Sequence, residues 1–212
     1  ESYRMVSERI MDIMKGYADR FEQVGIDEAY LDVSQSVNEN FEAAKDLALK
    51  IKEDIRAKEK ITCSIGIGPN KLVAKIAADI QKPDGLTVVK PGEVENFLSP
   101  LPVGRLIGVG RKTKARMESL GIKTIGELSK SDVQRLVAIF GKVFGTYLHY
   151  ASLGIDESPV QERGEAESIS RISTLKEDTR DLGIILERAN QLCEEVHVRL
   201  VQQGFSFKTV GI

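Results

Sequence analysis

Residues 24–34, VGIDEAYLDVS, set two adjacent acids, Asp27 and Glu28, at the entrance to an otherwise apolar run. Ala29, Leu31 and Val33 alternate with polar or amphipathic neighbours, the period of a half-buried strand. With the preceding FEQ and a tight turn near Gly25 to Asp27, the stretch predicts a β-hairpin with carboxylates near its tip. Two readings of the acidic pair remain. Acids at a turn are commonly solvated and need no other role. Here the flanks are apolar on both sides and Asp32 adds a third negative charge to the same short hairpin, and like charges that close repel unless a cation lies between them. Mg²⁺ suits such a place, being a hard cation that takes one or two carboxylates together with phosphate oxygens. A two-metal phosphoryl-transfer site needs at least one more carboxylate than this motif offers.

Before the hairpin, Met5, Val6, Ile10, Ile13 and Met14 fall at helical spacing and predict an amphipathic helix over 3–16. After the hairpin, Phe41, Ala44, Leu47, Ala48, Ile51 and Ile55 make a second helix, and ITCSIGIG from Ile61 reads as a buried strand ending at Gly68-Pro69. A helix from about Asn70 to Ile80 would bury Leu72, Val73, Ile76, Ala77 and Ile80, and KPDG ends it because the residue before a proline avoids the helical region. A short strand LTVV and a helix GEVENFL follow. This order predicts an α+β unit with helices covering one face of a sheet. From Ser99 to Gly154 strand signals vanish, and capping boxes at Thr124 to Glu127 and at Ser131 to Gln134 mark a small all-helical domain. The acidic stretch 155–168 reads as an exposed linker. A strand around SISRIST, a helix from about Asp181 to Gln203 and a strand-like FSFKTV come last, a β-α-β beginning that needs more strands to bury its faces. The chain starts without an initiator Met and stops inside a strand pattern, so a fragment is expected at both ends.

The 212 residues, 42% hydrophobic, suffice for one large or two small cores. Lys and Arg number 30 against 32 Asp and Glu, a net charge of −2, so any nucleic-acid binding has to rest on local patches. Cys63 and Cys193 stand far apart without a CxxC pair, and with only His149 and His197 beside them a zinc site is not expected. Sparse cysteine fits a reducing compartment, and no stretch has the length of a membrane span, so a cytoplasmic protein with no membrane contact is expected.

Two further motifs carry chemistry. In GIGPNKLVAKIAADIQKPDG, Lys71, Lys75 and Lys82 lie on or beside the polar side of one helix. That is a plain solvated face with an i,i+4 pair from Lys75 to Asp79, or a place for phosphate, with Lys82 held by Pro83 and Gly85 where an ammonium can meet a triphosphate. In LIGVGRKTKARM, a hairpin of Gly108, Val109 and Gly110 runs into a helix starting Arg111, Lys112 and Lys114. Between Val103 and Lys123 six cations face the single acid Glu118. The N–H groups of a Gly-rich turn at a helix start bind phosphate without reading bases, although a helix-loop-helix with a solvated basic face would show the same pattern.

Taken in order, GIDEAYLDV, GIGPNKLVAKIAADIQKPDG and LIGVGRKTKARMESLGI make the chain resemble the Y-family, DinB-like translesion DNA polymerases of the polymerase IV type, the archaeal DinB homologues in particular. The resemblance covers nearly the whole chain. It implies a partial palm over 1–98, a helix-hairpin-helix thumb over 99–154, a linker over 155–168 and a partial little finger over 169–212. It further implies that Asp27 and Glu28 are the catalytic carboxylates that bind two Mg²⁺ ions, that Lys82 contacts the triphosphate of a dNTP, and that Gly108, Val109, Gly110, Arg111, Lys112 and Lys114 grip primer-template DNA. A monomer is expected, with a sliding clamp engaged through a carboxy-terminal tail outside this chain. The family's amino-terminal palm strand with a third metal-binding Asp, its aromatic steric gate and its fingers are absent from the sequence, as is most of the little finger. Gly25 stands where relatives often carry Ser, and the linker is acidic where some relatives have basic DNA contacts. The chain by itself is therefore expected to bind DNA weakly and to polymerise poorly or not at all. Two other readings stay open: a non-catalytic helix-hairpin-helix DNA-binding module, and a nucleotide cyclase built on a similar acidic hairpin, against which the basic Gly-rich region speaks.

Overall fold

The computed structural model describes residues 2–162, 164 and 168–211. Two compact units divide the chain, residues 1–163 and 164–212.

In the first unit, α1 (Ser2–Lys15) leads into the hairpin of β1 (Arg20–Gln23) and β2 (Ala29–Asp32). The strands are antiparallel, with Glu22 opposite Tyr30 and Gln23 opposite Ala29. The connecting loop closes where the N–H groups of Val24 and Gly25 both donate to the Glu28 carbonyl, and the Ser7 hydroxyl of α1 donates to the Ile26 carbonyl at its tip. α2 (Phe41–Glu59) starts at Asn40, whose side chain accepts from the N–H groups of Glu42 and Ala43. It presents Ala44, Ala48, Ile51 and Ile55 inward, and a bidentate pair from Arg9 to Glu59, at 2.8 and 2.7 Å, ties it to α1.

β3 (Ile65–Ile67), α3 (Lys71–Ile80) and β4 (Leu86–Val88) form a parallel crossover, with Gly66 opposite Thr87. The single helix-covered sheet that the sequence predicts is instead two separate two-stranded sheets. The strand expected from Ile61 is also shorter. Its partner β4 offers three residues, so 61–64 have no ladder to join, Ile61 stays 43% exposed, and the Cys63 carbonyl takes its hydrogen bond from the Lys52 ammonium. Ile80, expected to be buried, lies exposed at the last turn of α3.

Helix α4 (Val94–Leu98) follows a 3₁₀ turn at Pro91–Glu93, and a second such turn at Val103–Arg105 leads to α5 (Arg111–Ser119), α6 (Ile125–Ser129), α7 (Val133–Phe140) and α8 (Lys142–Ser152). The capping box of Thr124 and Glu127 forms as expected, opening α6. The one expected at Ser131 does not, because Asp132 takes the cap of α7, accepting from the Arg135 N–H at 3.0 Å. A carboxylate gains from the positive end of the helix dipole where a serine hydroxyl does not.

One buried apolar cluster runs without interruption from Leu72, Val73 and Ile76 of α3 through Val94, Leu98 and Val103 to Met117, Leu136 and Leu148. The residues before and after Ser99 therefore share a core. Nor is the beginning of the acidic stretch free of the fold. Asp156 accepts from the Leu72 N–H at the start of α3, Asn70 donates to the Gly154 carbonyl, and Gln161 donates to Glu22. Segment 155–162 thus belongs to the first unit and is tied to it at these points, while six of its eight residues stay exposed, as the sequence reads them. The Asp156 carboxylate, which looks solvated in one dimension, meets an orphan N–H group at a helix start. Residues 163 and 165–167 of that stretch lie outside those described.

In the second unit, α9 (Leu182–Gln202) is capped by Asp181, which accepts from the Gly183 N–H at 2.8 Å. The strands expected around SISRIST and FSFKTV do not form among the described residues. A strand needs a second backbone to satisfy its N–H and C=O groups, and none is present beside them. Ile172, Leu182 and Val201 accordingly remain exposed.

Candidate functional site

The hairpin delivers its two acids differently. Asp27, in the loop, is exposed, and among the described residues its carboxylate has no hydrogen bond or ion pair. Glu28, immediately before β2, is half-buried and accepts from the Lys75 ammonium of α3. Asp32 does not join them. It sits at the far end of β2 and accepts from the N–H and hydroxyl of Ser34, at 3.0 and 2.6 Å, closing a local turn. Among the described residues no group of three or more His, Cys, Asp or Glu side chains converges to hold a metal.

The face of α3 opposite the hairpin carries a row of ion pairs. Lys71 meets Glu22 of β1 at 2.7 Å and lies 5.1 Å from the centre of the Tyr30 ring. Lys75 meets Glu28, and Lys82 meets Asp79 at 2.6 Å. The i,i+4 pair expected between Lys75 and Asp79 does not form. Asp79 turns to Lys82 three residues on, which leaves Lys75 for the hairpin. Burial, then the nearby carboxylates of Glu28, Glu22, Asp156 and Asp79, hold the Tyr30 phenol above its ordinary range, so it stays neutral. The loop that carries Lys82 is fixed from behind: Lys52 bonds Asp84 at 2.5 Å, and the Gly85 N–H donates to the Ser64 hydroxyl. Lys82 itself is 55% exposed.

The second candidate surface lies at the start of α5. Gly108 has φ +83°, a backbone that glycine adopts at little cost, and a Cβ there would stand 3.4 Å from the Phe144 ring. The Tyr147 hydroxyl donates to the Ile107 carbonyl at 2.7 Å. Val109 points inward. Its side chain is buried and its N–H is given to the Leu106 carbonyl, so this residue anchors the turn. Gly110 caps α5 without a side chain, and Gly108, Gly110, Arg111, Lys112 and Lys114 are exposed. Among the described residues Lys114 makes only a long pair with Glu118, 3.8 Å, while Arg116 lies over the Phe140 ring. Sequence reading missed the contributions of Glu22, Tyr147 and Asp156, for each is defined by a partner distant in the chain. The one local signal was the four-residue step from Lys71 to Lys75, which puts both ammoniums on one helical face.

Comparison with known proteins decides the family. Residues 1–79 match the impB/mucB/samB family, 104–156 match the thumb domain described for DNA polymerase-iota, and 166–212 match the impB/mucB/samB C-terminal domain. The chain belongs to the DinB-like Y family of DNA polymerases. Within that Y family it is 46% identical over 210 residues to "DNA polymerase IV" of Nitrosopumilus maritimus, covering 99% of this chain and 58% of that protein. It is 44% identical over 218 residues to "DNA polymerase IV" of Methanosarcina acetivorans, covering all of this chain and 60% of the other. Among solved structures, a Dbh-based Y-family DNA polymerase chimera superposes with a TM-score of 0.82 at 38% identity, over 92% of this chain and 56% of that one. The insertion ternary complex of Dbh DNA polymerase superposes at 0.73 and 37% identity, over 93% and 57%. The chain thus spans a little under two thirds of the length of these Y-family relatives. Among the described residues no helix is long and apolar enough to cross a membrane.

Proposed function

We propose that the intact protein is a DNA-directed DNA polymerase that copies damaged templates, adding dNTPs to a primer 3′-end. The paired carboxylates Asp27 and Glu28, at the tip of a hairpin facing a lysine-bearing helix, carry this reading in a chain whose Y-family relatives are named DNA polymerase IV. Both acids offer hard oxygen donors on adjacent residues and fit two positions of a Mg²⁺ site, to which a third carboxylate would have to be added. Two Mg²⁺ ions held there would supply the charge that favours attack on the α-phosphate and departure of pyrophosphate.

The chain's own residues do the rest. Asp27 is free to bind at once, whereas Glu28 has to leave Lys75. Lys82, weakly held by Asp79 at the surface, is able to turn to the triphosphate. The unsatisfied N–H groups at the start of α5, with Arg111, Lys112 and Lys114 around them, take duplex phosphates, and buried Val109 keeps that turn in place. On this reading 1–98 is palm, 99–154 thumb, 155–168 linker and 169–212 the beginning of a little finger.

Asp27→Ala in the intact protein should lower nucleotide addition by roughly a thousandfold or more, the scale of several kcal/mol of charge stabilisation. Duplex affinity should stay essentially unchanged. Normal primer extension by this variant would sink the assignment. A DNA-binding module without catalysis is the second reading, favoured by the exposed cations at α5. It predicts no effect of Asp27 or Mg²⁺ on any property of the intact protein, with binding that weakens as salt rises.

A further inference from the structure

Glu28 and Lys75 are 47 residues apart in sequence, yet their side chains meet in direct contact. The neighbours on α3 explain why Lys75 is available. One turn earlier, Lys71 is committed to both oxygens of Glu22 and to the Pro159 carbonyl. One turn later, Asp79 is taken by Lys82. The pair is partly shielded, with the lysine side chain 27% and the glutamate 42% exposed, so its mutual attraction is stronger than between fully solvated groups.

We propose, building on the metal-site reading above, that Lys75 is a positioning residue: its ammonium is the resident counter-ion of Glu28, holding that carboxylate against α3 until a divalent cation displaces it. Two physical consequences follow. The ammonium occupies an oxygen that a metal would need, and its charge repels any cation approaching Asp27 next door. Both oppose metal binding, so removing the charge raises affinity for a divalent ion. Asp27, without a resident partner among the described residues, contributes no such barrier.

The test uses the ¹⁵N-labelled 212-residue chain and Mn²⁺ as the probe, with paramagnetic broadening of the amides of residues 24–28 as the readout. Lys75→Met keeps the aliphatic stem and removes the charge. Its half-saturating Mn²⁺ concentration should fall about three- to tenfold, the size of effect expected from losing a partly shielded ion pair. Lys75→Arg should return it to the wild-type value, which a merely structural role for the stem would not explain. Lys75→Gln serves as a second charge-removing variant where the amide spectrum of Lys75→Met departs from the folded pattern. Mn²⁺ binding no tighter in either charge-removing variant than in the wild type overturns the inference. The double variant Asp27→Asn, Glu28→Gln tests the foundation separately. Unchanged broadening in that variant means the hairpin is not the metal site, and the functional reading falls with the inference. Lost broadening combined with unaltered affinity in Lys75→Met means the metal site stands and Lys75 has no part in it.

Discussion

Lys71 and Lys75 share a helix face and differ in what they are asked to hold. Lys71 joins Glu22 in a pair whose side chains are 17% and 18% exposed, and it also lies near the Tyr30 ring. Removing its charge leaves Glu22 poorly solvated, so Lys71→Met should destabilise the first unit by about 2 kcal/mol, the scale of a charge-assisted hydrogen bond. Urea unfolding measures this, and adding Glu22→Gln should recover part of the loss because the stranded charge goes too. Lys82 is the opposite case. Its pair with Asp79 is a surface i,i+3 contact worth little, so Lys82→Ala should leave stability nearly unchanged. In the intact protein the same variant should raise the apparent KM for dNTP, and steady-state kinetics with an unaltered KM and kcat would remove Lys82 from the triphosphate site.

Elements are held by close approaches that admit no atom more. β3 lies so tightly on α3 that a Cβ at Gly66 would stand 2.1 Å from the Ala74 carbonyl oxygen and 2.3 Å from the Ala78 nitrogen. Both neighbours are backbone, so relief requires shifting the helix that carries Lys71 and Lys75. Gly66→Ala should therefore cost about 3 kcal/mol, at the upper end for overpacking. It should also weaken Mn²⁺-dependent broadening at the hairpin. By contrast Thr124→Ala removes one cap from the short helix α6 and leaves its packing intact. About 1 kcal/mol is expected there. Thermal unfolding of the two variants side by side distinguishes a rigid backbone contact from a replaceable side-chain bond.

Over the whole molecule, hydrogen-bonded carboxyls set the pH response. The carboxyls of Asp54, Glu59 and Asp84 sit below their ordinary range because Lys58, Arg9 and Lys52 respectively bond them. Those of Asp19 and Glu127 sit below it because Ser36 and the backbone N–H groups of Lys123 and Thr124 do. A carboxyl depressed in the folded state contributes stability above its unfolded pKa and loses it as pH falls through the folded value. Thermal stability should therefore be level near neutrality and decline below about pH 5, where ordinary carboxyls begin to protonate. Lys52→Met should shrink that acid-side decline. A decline of unchanged size would show that the Lys52–Asp84 pair does not contribute to it.

The helices were readable from the chain because their hydrogen bonds join residues four apart, so periodicity and caps are local facts. α1, α2, α3 and α9 lie close to where the apolar spacing puts them, and the Thr124 box opens α6. The acidic hairpin was readable for the same reason, its turn being only a few residues long. Partners distant in the chain were not. That Glu28 takes Lys75, that Asp156 meets the start of α3, that β3 finds only a three-residue mate, and that Val109 faces the core all depend on which surfaces the fold brings together. Ion pairs and strand ladders have no period to reveal them, since either partner satisfies its chemistry equally well with any suitable group within reach. Only the tertiary structure selects which group that is.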